Sequence, residues 1–236
     1  MALLNFINFL VFLIAEIILK DNKMIVKFNK QEFRKTALKK LRSQKLFKAK
    51  CTHYPLLKRL EELIKFKKAK KILLYMPLFY EADVYKIRRK FPKCDIFVPF
   101  MVDISLKMVR LRMPFKIKKF NLREPVASKL VKDRIDMAVV PAIGVDGAMR
   151  RVGHGKGFYD RFFDSLSYRP KTIVFIEILD FYTDKILSDK HDVCGDIYLT
   201  PSKNYIKRGK NDRGFNRLRS RCDGCWRRVS VRKKDK

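Results

Sequence analysis

Acidic side chains are scarce in this 236-residue chain: 24 Asp and Glu face 56 Lys and Arg, a formal net charge of +32 at pH 7. The imbalance is not confined to one end. Residues 203–236 hold 14 Lys and Arg against 3 Asp, residues 1–23 are neutral overall, and residues 24–202 keep a surplus of +21. The globular part therefore attracts polyanions, whether nucleic acid, a membrane surface, nucleotides or polycarboxylate metabolites. A disulfide framework is missing too. Cys51, Cys94, Cys194, Cys222 and Cys225 make an odd set in a chain much larger than a small secreted scaffold, which points to reduced thiols and a cytoplasmic setting. Cys222-Asp-Gly-Cys225 is a lone CxxC, with no second pair or nearby histidine to complete four zinc ligands.

Recognisable address signals are also lacking. Residues 2–19, ALLNFINFLVFLIAEIIL, are long enough to cross a bilayer, which takes roughly 17–25 helical residues. They have neither a positive leading region nor a small-residue cleavage site, and Asn5, Asn8 and Glu16 interrupt them. Two readings of residues 1–23 stand: an apolar leader that contacts or anchors in a membrane, or a stretch upstream of a true start at Met24. At the other end, residues 203–236 are arginine-rich, show little apolar periodicity and carry the only tryptophan, Trp226. They are expected to form a basic, disordered tail.

With 47% hydrophobic and 12% aromatic residues in the chain, residues 24–202 are expected to form one globular domain. Residues 30–50 have helix-forming composition, with Phe33, Ala37, Leu38 and Leu41 on one face. A second helix is expected over residues 54–66, with Leu56, Leu57, Leu60 and Leu63 facing inward. KILLYM (71–76), DIFVPF (95–100), MAVVPAI (137–143) and TIVFIEI (172–178) read as buried strands. Continuous apolar strands separated by helix-length segments predict an α/β fold: three α/β/α layers around a mainly parallel sheet. Ligands of such sheets collect beyond the carboxyl ends of the strands. There lie Glu81 and Asp83 after the first strand, and RRVGHGKGFYDRFF (150–163) after the third.

That last stretch has glycine at 153, 155 and 157, cations at Arg150, Arg151 and Lys156, and an apolar helix start behind it. Glycines let backbone N–H groups approach a ligand closely, and a helix start favours anions. The two common phosphate loops are nevertheless absent. A Walker A loop needs Ser or Thr where Gly157 stands, and a dinucleotide fingerprint from Gly153 needs glycine where Phe158 stands. On the glycines alone, a structural turn and a phosphate cradle account for the stretch equally well.

With its surroundings, DMAVVPAIGVDGAMRRVGHGKGFYDRFF resembles the signature of the 5-formyltetrahydrofolate cyclo-ligase family, also called 5,10-methenyltetrahydrofolate synthetases. Further features stand in the family's order: Lys30 and Arg34, then Pro77, Glu81 and Asp83, then Glu124 and Pro125, then His191, Asp192 and Asp196. The resemblance covers residues 28–201. It implies ATP- and Mg²⁺-dependent cyclisation of 5-formyltetrahydrofolate, with or without a polyglutamate tail, to 5,10-methenyltetrahydrofolate, releasing ADP and phosphate. It assigns ATP contacts to Lys30, Arg34, Arg151, Val152, Gly153, His154, Gly155, Lys156, Gly157, Phe158 and Tyr159. Folate contacts fall to Arg34, Met76, Glu81, His154, Gly155, Lys156, Gly157 and Phe158, catalytic charge to Arg151 and Lys156, and Mg²⁺ to Asp160 and Asp196. Val152 stands where the family often has leucine, a change of packing only. A monomer without specific nucleic-acid binding is expected. The rival reading is a basic RNA- or membrane-surface-binding protein that keeps this fold and works through its ends.

Overall fold

Asn29 starts the first helix by accepting the N–H groups of Gln31 and Glu32 on its side-chain oxygen, each at 2.9 Å. In this computed structural model, residues 29–44, 46–102, 105–117, 123–126, 129–208 and 225–230 are described. The apolar leader read at residues 1–23 lies outside them, as does Cys222. Helix α1 (Lys30–Arg42) buries Phe33, Ala37 and Leu41, one residue per turn. Ser43 and Gln44 then turn their side chains back onto the Lys40 carbonyl, and the helix expected to reach residue 50 stops. Helix α2 (Leu46–Lys67) begins earlier than the pattern suggests and runs through Pro55. A proline inside a helix costs about 3 kcal/mol. Burial of Leu56, Leu60, Leu63 and Ile64, at roughly 1.5–3 kcal/mol each, outweighs it.

Strands β1 (Lys71–Leu73), β2 (Asp95–Val102), β7 (Met137–Pro141) and β10 (Thr172–Ile176) fall on the four apolar runs. A 3₁₀ helix (Val84–Arg89) follows β1. The remaining strands are β3 (Ser105–Arg110), β4 (Phe115–Ile117), β5 (Arg123–Pro125), β6 (Leu130–Val131), β8 (Gly144–Val145), β9 (Arg151–Val152), β11 (Ile197–Leu199), β12 (Lys203–Lys207) and β13 (Cys225–Val229). Helix α3 spans Phe158–Asp164. Among the described residues one nine-stranded sheet runs β13-β12-β11-β10-β7-β1-β2-β3-β6, and β4-β5 and β8-β9 form separate ribbons. The centre, β11-β10-β7-β1-β2, is parallel throughout, and β3, β6 and β12 add antiparallel edges.

Alternate residues of the central strands feed opposite cores. Met137 and Val139 of β7 pack with Leu41, Leu56, Leu60 and Leu63 from α1 and α2. Ala138 and Val140 pack on the other face with Phe162 of α3. A sheet buried on both faces explains why its strands read as unbroken apolar runs, and it gives the expected three layers. The boundary expected at residue 202 falls inside the sheet. Lys203–Lys207 pairs antiparallel with β11, and Cys225–Val229 pairs with β12. Trp226 and Val229 are buried there, so this part of the arginine-rich segment contributes to the core instead of forming a solvated tail. No helix among the described residues is long and apolar enough to cross a membrane.

Candidate active site

The β8–β9 hairpin carries the glycine loop out of β7, and a buried carboxylate shapes its turn. Asp146 accepts the N–H groups of Ala148 and Arg150 on one oxygen and those of Leu187 and Ser188, with the Ser188 hydroxyl, on the other. A carboxylate accepting this many donors ties the hairpin to the 187–188 segment. Sequence reading gave Asp146 no such role, because Leu187 and Ser188 lie about 40 positions away.

Beyond the hairpin, Arg151 is 6% exposed and its Nη2 donates to Asp160 Oδ2 at 2.8 Å. Its guanidinium lies 5.1 Å from the centre of the Tyr159 ring. A Cβ on Gly153 would stand 2.5 Å from Arg151 Nη1, so a larger residue there would displace the guanidinium that pairs with Asp160. Gly155 and Gly157 have φ of 92° and 64°, the left-handed region that other residues avoid. Gly157 then caps α3, whose 7 residues leave little helix dipole; its first-turn charge, Asp160, is committed to Arg151. Asp160 Oδ1 also accepts the Val193 N–H at 3.1 Å.

Helix α1 closes one side. Arg34 Nε donates to the Gly153 carbonyl at 2.7 Å, while Lys30 Nζ contacts Asp192 and stands 3.6 Å from Asp189. The two cations therefore leave one helical face for different partners, Arg34 for the glycine loop and Lys30 for the 189–192 segment. Burial works against the Asp192 charge, yet the Lys30 ammonium and the Asp189 N–H hold its pKa below the usual value. Asp189, His191 and Asp192 bring potential ligand atoms within 4.8 Å of one another, and Lys30 bridges two of them. Lys156 is exposed at the loop tip and has no side-chain partner among the described residues.

The opposite wall follows β1. Met76 is buried, and Glu81 is 6% exposed and accepts the Leu78 N–H at 2.9 Å. Burial raises the Glu81 pKa to about 7, opposed by that hydrogen bond. Next to it in sequence, the Tyr80 hydroxyl is hydrogen-bonded to His154 Nε2 at 2.7 Å. The His154 pKa is lowered by crowding around the ring and then by the Arg151, Arg42 and Arg34 charges. Glu177, directly after β10, is 2% exposed and has a raised pKa, chiefly through burial and further through the Glu81 charge. Sequence reading missed Tyr80, Arg42 and Glu177; an acid ending a strand in the middle of the sheet was the signal available for Glu177.

Asp196 has partners of its own, Arg169 and Ile173, which line one cavity together with Asp160. It precedes β11, at the amino end of that strand, where Oδ1 binds Arg169 at 2.8 Å and Oδ2 accepts the Ile173 N–H at 2.8 Å. Among the described residues it shares no hydrogen-bond partner with Asp160.

The order of these parts along the chain matches a known family. The model of the 5-formyltetrahydrofolate cyclo-ligase family fits residues 26–201, about three quarters of the sequence. The chain belongs to that family. A 5-formyltetrahydrofolate cyclo-ligase of Mycolicibacterium smegmatis is 36% identical over 93 residues, covering 37% of this chain and 46% of the relative. One from Saccharomyces cerevisiae is 33% identical over 105 residues, covering 39% and 48%. The matched stretches thus span about half the length of these relatives. Among solved structures, the cyclo-ligase fold appears in the 5,10-methenyltetrahydrofolate synthetase of Aquifex aeolicus, with a TM-score of 0.66 and 24% identity over 77% of this chain and 95% of that one. The 5,10-methenyltetrahydrofolate synthetase of Mycoplasma pneumoniae gives a TM-score of 0.58 and 18% identity over 72% and 98%. At these identities the two structures support the fold.

Proposed function

We propose that this cyclo-ligase family member closes 5-formyltetrahydrofolate to 5,10-methenyltetrahydrofolate, using ATP and Mg²⁺ and releasing ADP and phosphate. The observation that carries the reading is the Tyr80–His154 hydrogen bond, which sets the Glu81 segment against the glycine loop. A buried wall with a half-neutralised acid suits a pterin. The loop beside it, with Arg34, Arg151 and Lys156, suits a triphosphate.

The formyl oxygen of the substrate is a weak nucleophile, and hydroxide would be a slow leaving group from its carbon. Attack of that oxygen on the γ-phosphorus, with ADP leaving, gives an N5-iminium phosphate. N10 then adds to the activated carbon and phosphate departs. The protein's share is positioning and charge neutralisation. Backbone N–H groups of residues 153–157 and the free Lys156 ammonium meet the phosphates. Arg34 holds the loop through the Gly153 carbonyl and adds charge beside it. Arg151, lying under Gly153, fixes the loop floor and contributes positive potential. Glu81 in its ionised form accepts hydrogen bonds from the pterin, while Met76 packs against it.

Mg²⁺, when bound, shields the phosphate oxygens during transfer. Asp160 fits as its ligand, a hard oxygen donor with lone pairs remaining after Arg151 and Val193. Asp196, whose oxygens likewise accept one bond each, from Arg169 and Ile173, keeps the same capacity. The deciding experiment follows methenyltetrahydrofolate absorbance on adding 5-formyltetrahydrofolate, with ATP and Mg²⁺ present or withheld. Growth of the band only in their presence is expected; no ATP-dependent change rejects the reading.

A further inference from the structure

Among the described residues, side chains from elsewhere in the chain hydrogen-bond the 153–157 loop at two points. Arg34 Nε donates to the Gly153 carbonyl, and the Tyr80 hydroxyl is bonded to His154 Nε2, each at 2.7 Å. Both holds lean on α1. Arg34 leaves that helix directly, and the guanidinium of Arg42, its last residue, lies 5.9 Å from the centre of the Tyr80 ring. The second hold begins in the wall assigned to the pterin. Tyr80 is 7% exposed; its ring belongs to the core, with Phe79 edge-on at 4.8 Å, and its hydroxyl leaves the core for the loop.

Glu81 itself closes the turn that carries Tyr80. Its N–H donates to the Leu78 carbonyl at 3.1 Å, and its carboxylate accepts the Leu78 N–H at 2.9 Å. The Tyr75 hydroxyl, donating to the Ala82 carbonyl at 2.8 Å, ties the same turn to the chain just after β1. Tyr80 and Glu81 therefore move as one piece. A ligand that engages the Glu81 carboxylate orders this turn and, through Tyr80, the loop, which then has less freedom to lose on taking a phosphate. We infer that Tyr80 is a positioning residue that couples the two ligands: its hydroxyl transmits occupancy of the Glu81 wall to the glycine loop, so that folate and nucleotide strengthen each other's binding. This coupling deepens the cyclo-ligase reading and rests on it. By linkage it is reciprocal, each ligand tightening the other by the same factor. One hydrogen bond is worth about 1 kcal/mol net, a factor of about five.

Calorimetry on the full chain in Mg²⁺ tests this. Dissociation constants are measured for 5-formyltetrahydrofolate and for a non-hydrolysable ATP analogue, each alone and with the other saturating, in the unmodified chain, Tyr80→Phe and Phe79→Leu. Tyr80→Phe removes the hydroxyl and keeps the ring in the core. Phe79→Leu alters an exposed neighbour in the same turn and leaves the hydrogen bond to His154 in place. In the unmodified chain each ligand should tighten the other by about fivefold, whichever is added first. Tyr80→Phe should abolish that factor, and Phe79→Leu should keep it. A Tyr80 that serves only the fold would weaken both ligands and leave the factor as it was. Ligands that bind the unmodified chain without affecting each other overturn the coupling, as does a factor that survives in Tyr80→Phe or is lost equally in Phe79→Leu. Binding of neither ligand to the unmodified chain rejects the cyclo-ligase reading itself, and the coupling with it.

Discussion

Arg151 and Asp160 form an ion pair of 2.8 Å with side chains only 7% and 15% exposed, directly beneath the glycine loop. Their pairing ties the strand before the loop to the helix after it. The loop is thereby held at both ends while its tip stays free, and the tip carries Lys156. Two cations assigned to one chemistry thus have different structural duties, and substitutions should separate them.

Lys156→Ala should cut turnover by about 10²–10³, the usual effect of losing one well-placed charge-stabilising donor. Its side chain is exposed and unpartnered among the described residues, so the melting temperature should stay where it was. Arg151→Ala should lose activity and stability together, by about 3–5 kcal/mol, because it leaves Asp160 without its partner. Single-turnover rates beside thermal melts check both. Equal melting of the two variants would count against the buried-pair account.

The two aspartates expected to hold Mg²⁺ should also separate. Asp160→Asn should raise the Mg²⁺ concentration needed for half-maximal turnover. Asp196→Asn should chiefly lower the melting temperature, since its carboxylate joins Arg169 to the Ile173 N–H at the amino ends of β10 and β11. Magnesium titrations of both variants decide it. A metal requirement shifted equally by Asp196→Asn would make Asp196 a ligand beside Asp160.

Glu81 sets a pH dependence. Its pKa rises from 4.5 to about 7 on folding, so between these values the folded state binds the extra proton. Stability must then fall as pH rises through that window, with a slope of at most about 1.4 kcal/mol for each pH step of one. Glu177, also raised, acts with the same sign. Melting curves of the unmodified chain and Glu81→Gln from pH 4.5 to 8 should diverge, the variant gaining relative stability toward high pH. The KM for folate should move the other way, weakening below pH 7 as the accepting carboxylate is lost. A variant whose melting tracks the parent at every pH would remove Glu81 from this role.

The parts visible in the sequence are those whose cause is local. β1, β2, β7 and β10 are buried on both faces and so read as apolar runs, and the glycines at 153, 155 and 157 mark a turn in which Gly155 and Gly157 take positive φ. The missing parts depend on contacts between distant segments. Lys30 meets Asp192 across 162 positions, and Tyr80 meets His154 across 74. The helix expected over residues 54–66 starts at Leu46 instead, because the burial that carries α2 through Pro55 comes from the rest of the core. The strand at Lys203–Lys207 was hidden by its charged ends, although Asn204 and Tyr205 within it are buried.

That hidden edge supplies the last prediction. Deleting residues 209–236 removes β13 and with it the burial of Trp226 and Val229, worth roughly 1.5–3 kcal/mol per side chain. Deleting from residue 203 also takes β12, including the Tyr205 hydroxyl bond to Asp180 at 2.8 Å and the Tyr205 ring stacked on Tyr182 at 4.3 Å. The melting temperature should therefore drop in two steps, modestly for the first truncation and further for the second. Trp226, the only tryptophan, reports independently: its emission in the full chain should be blue-shifted and should move to the red as β13 detaches in denaturant. A solvated tail would give truncations that melt like the full chain and a tryptophan already red-shifted in native buffer. Either result would return residues 225–229 to the solvent, whereas graded melting with a buried tryptophan makes the arginine-rich segment the outer edge of the sheet.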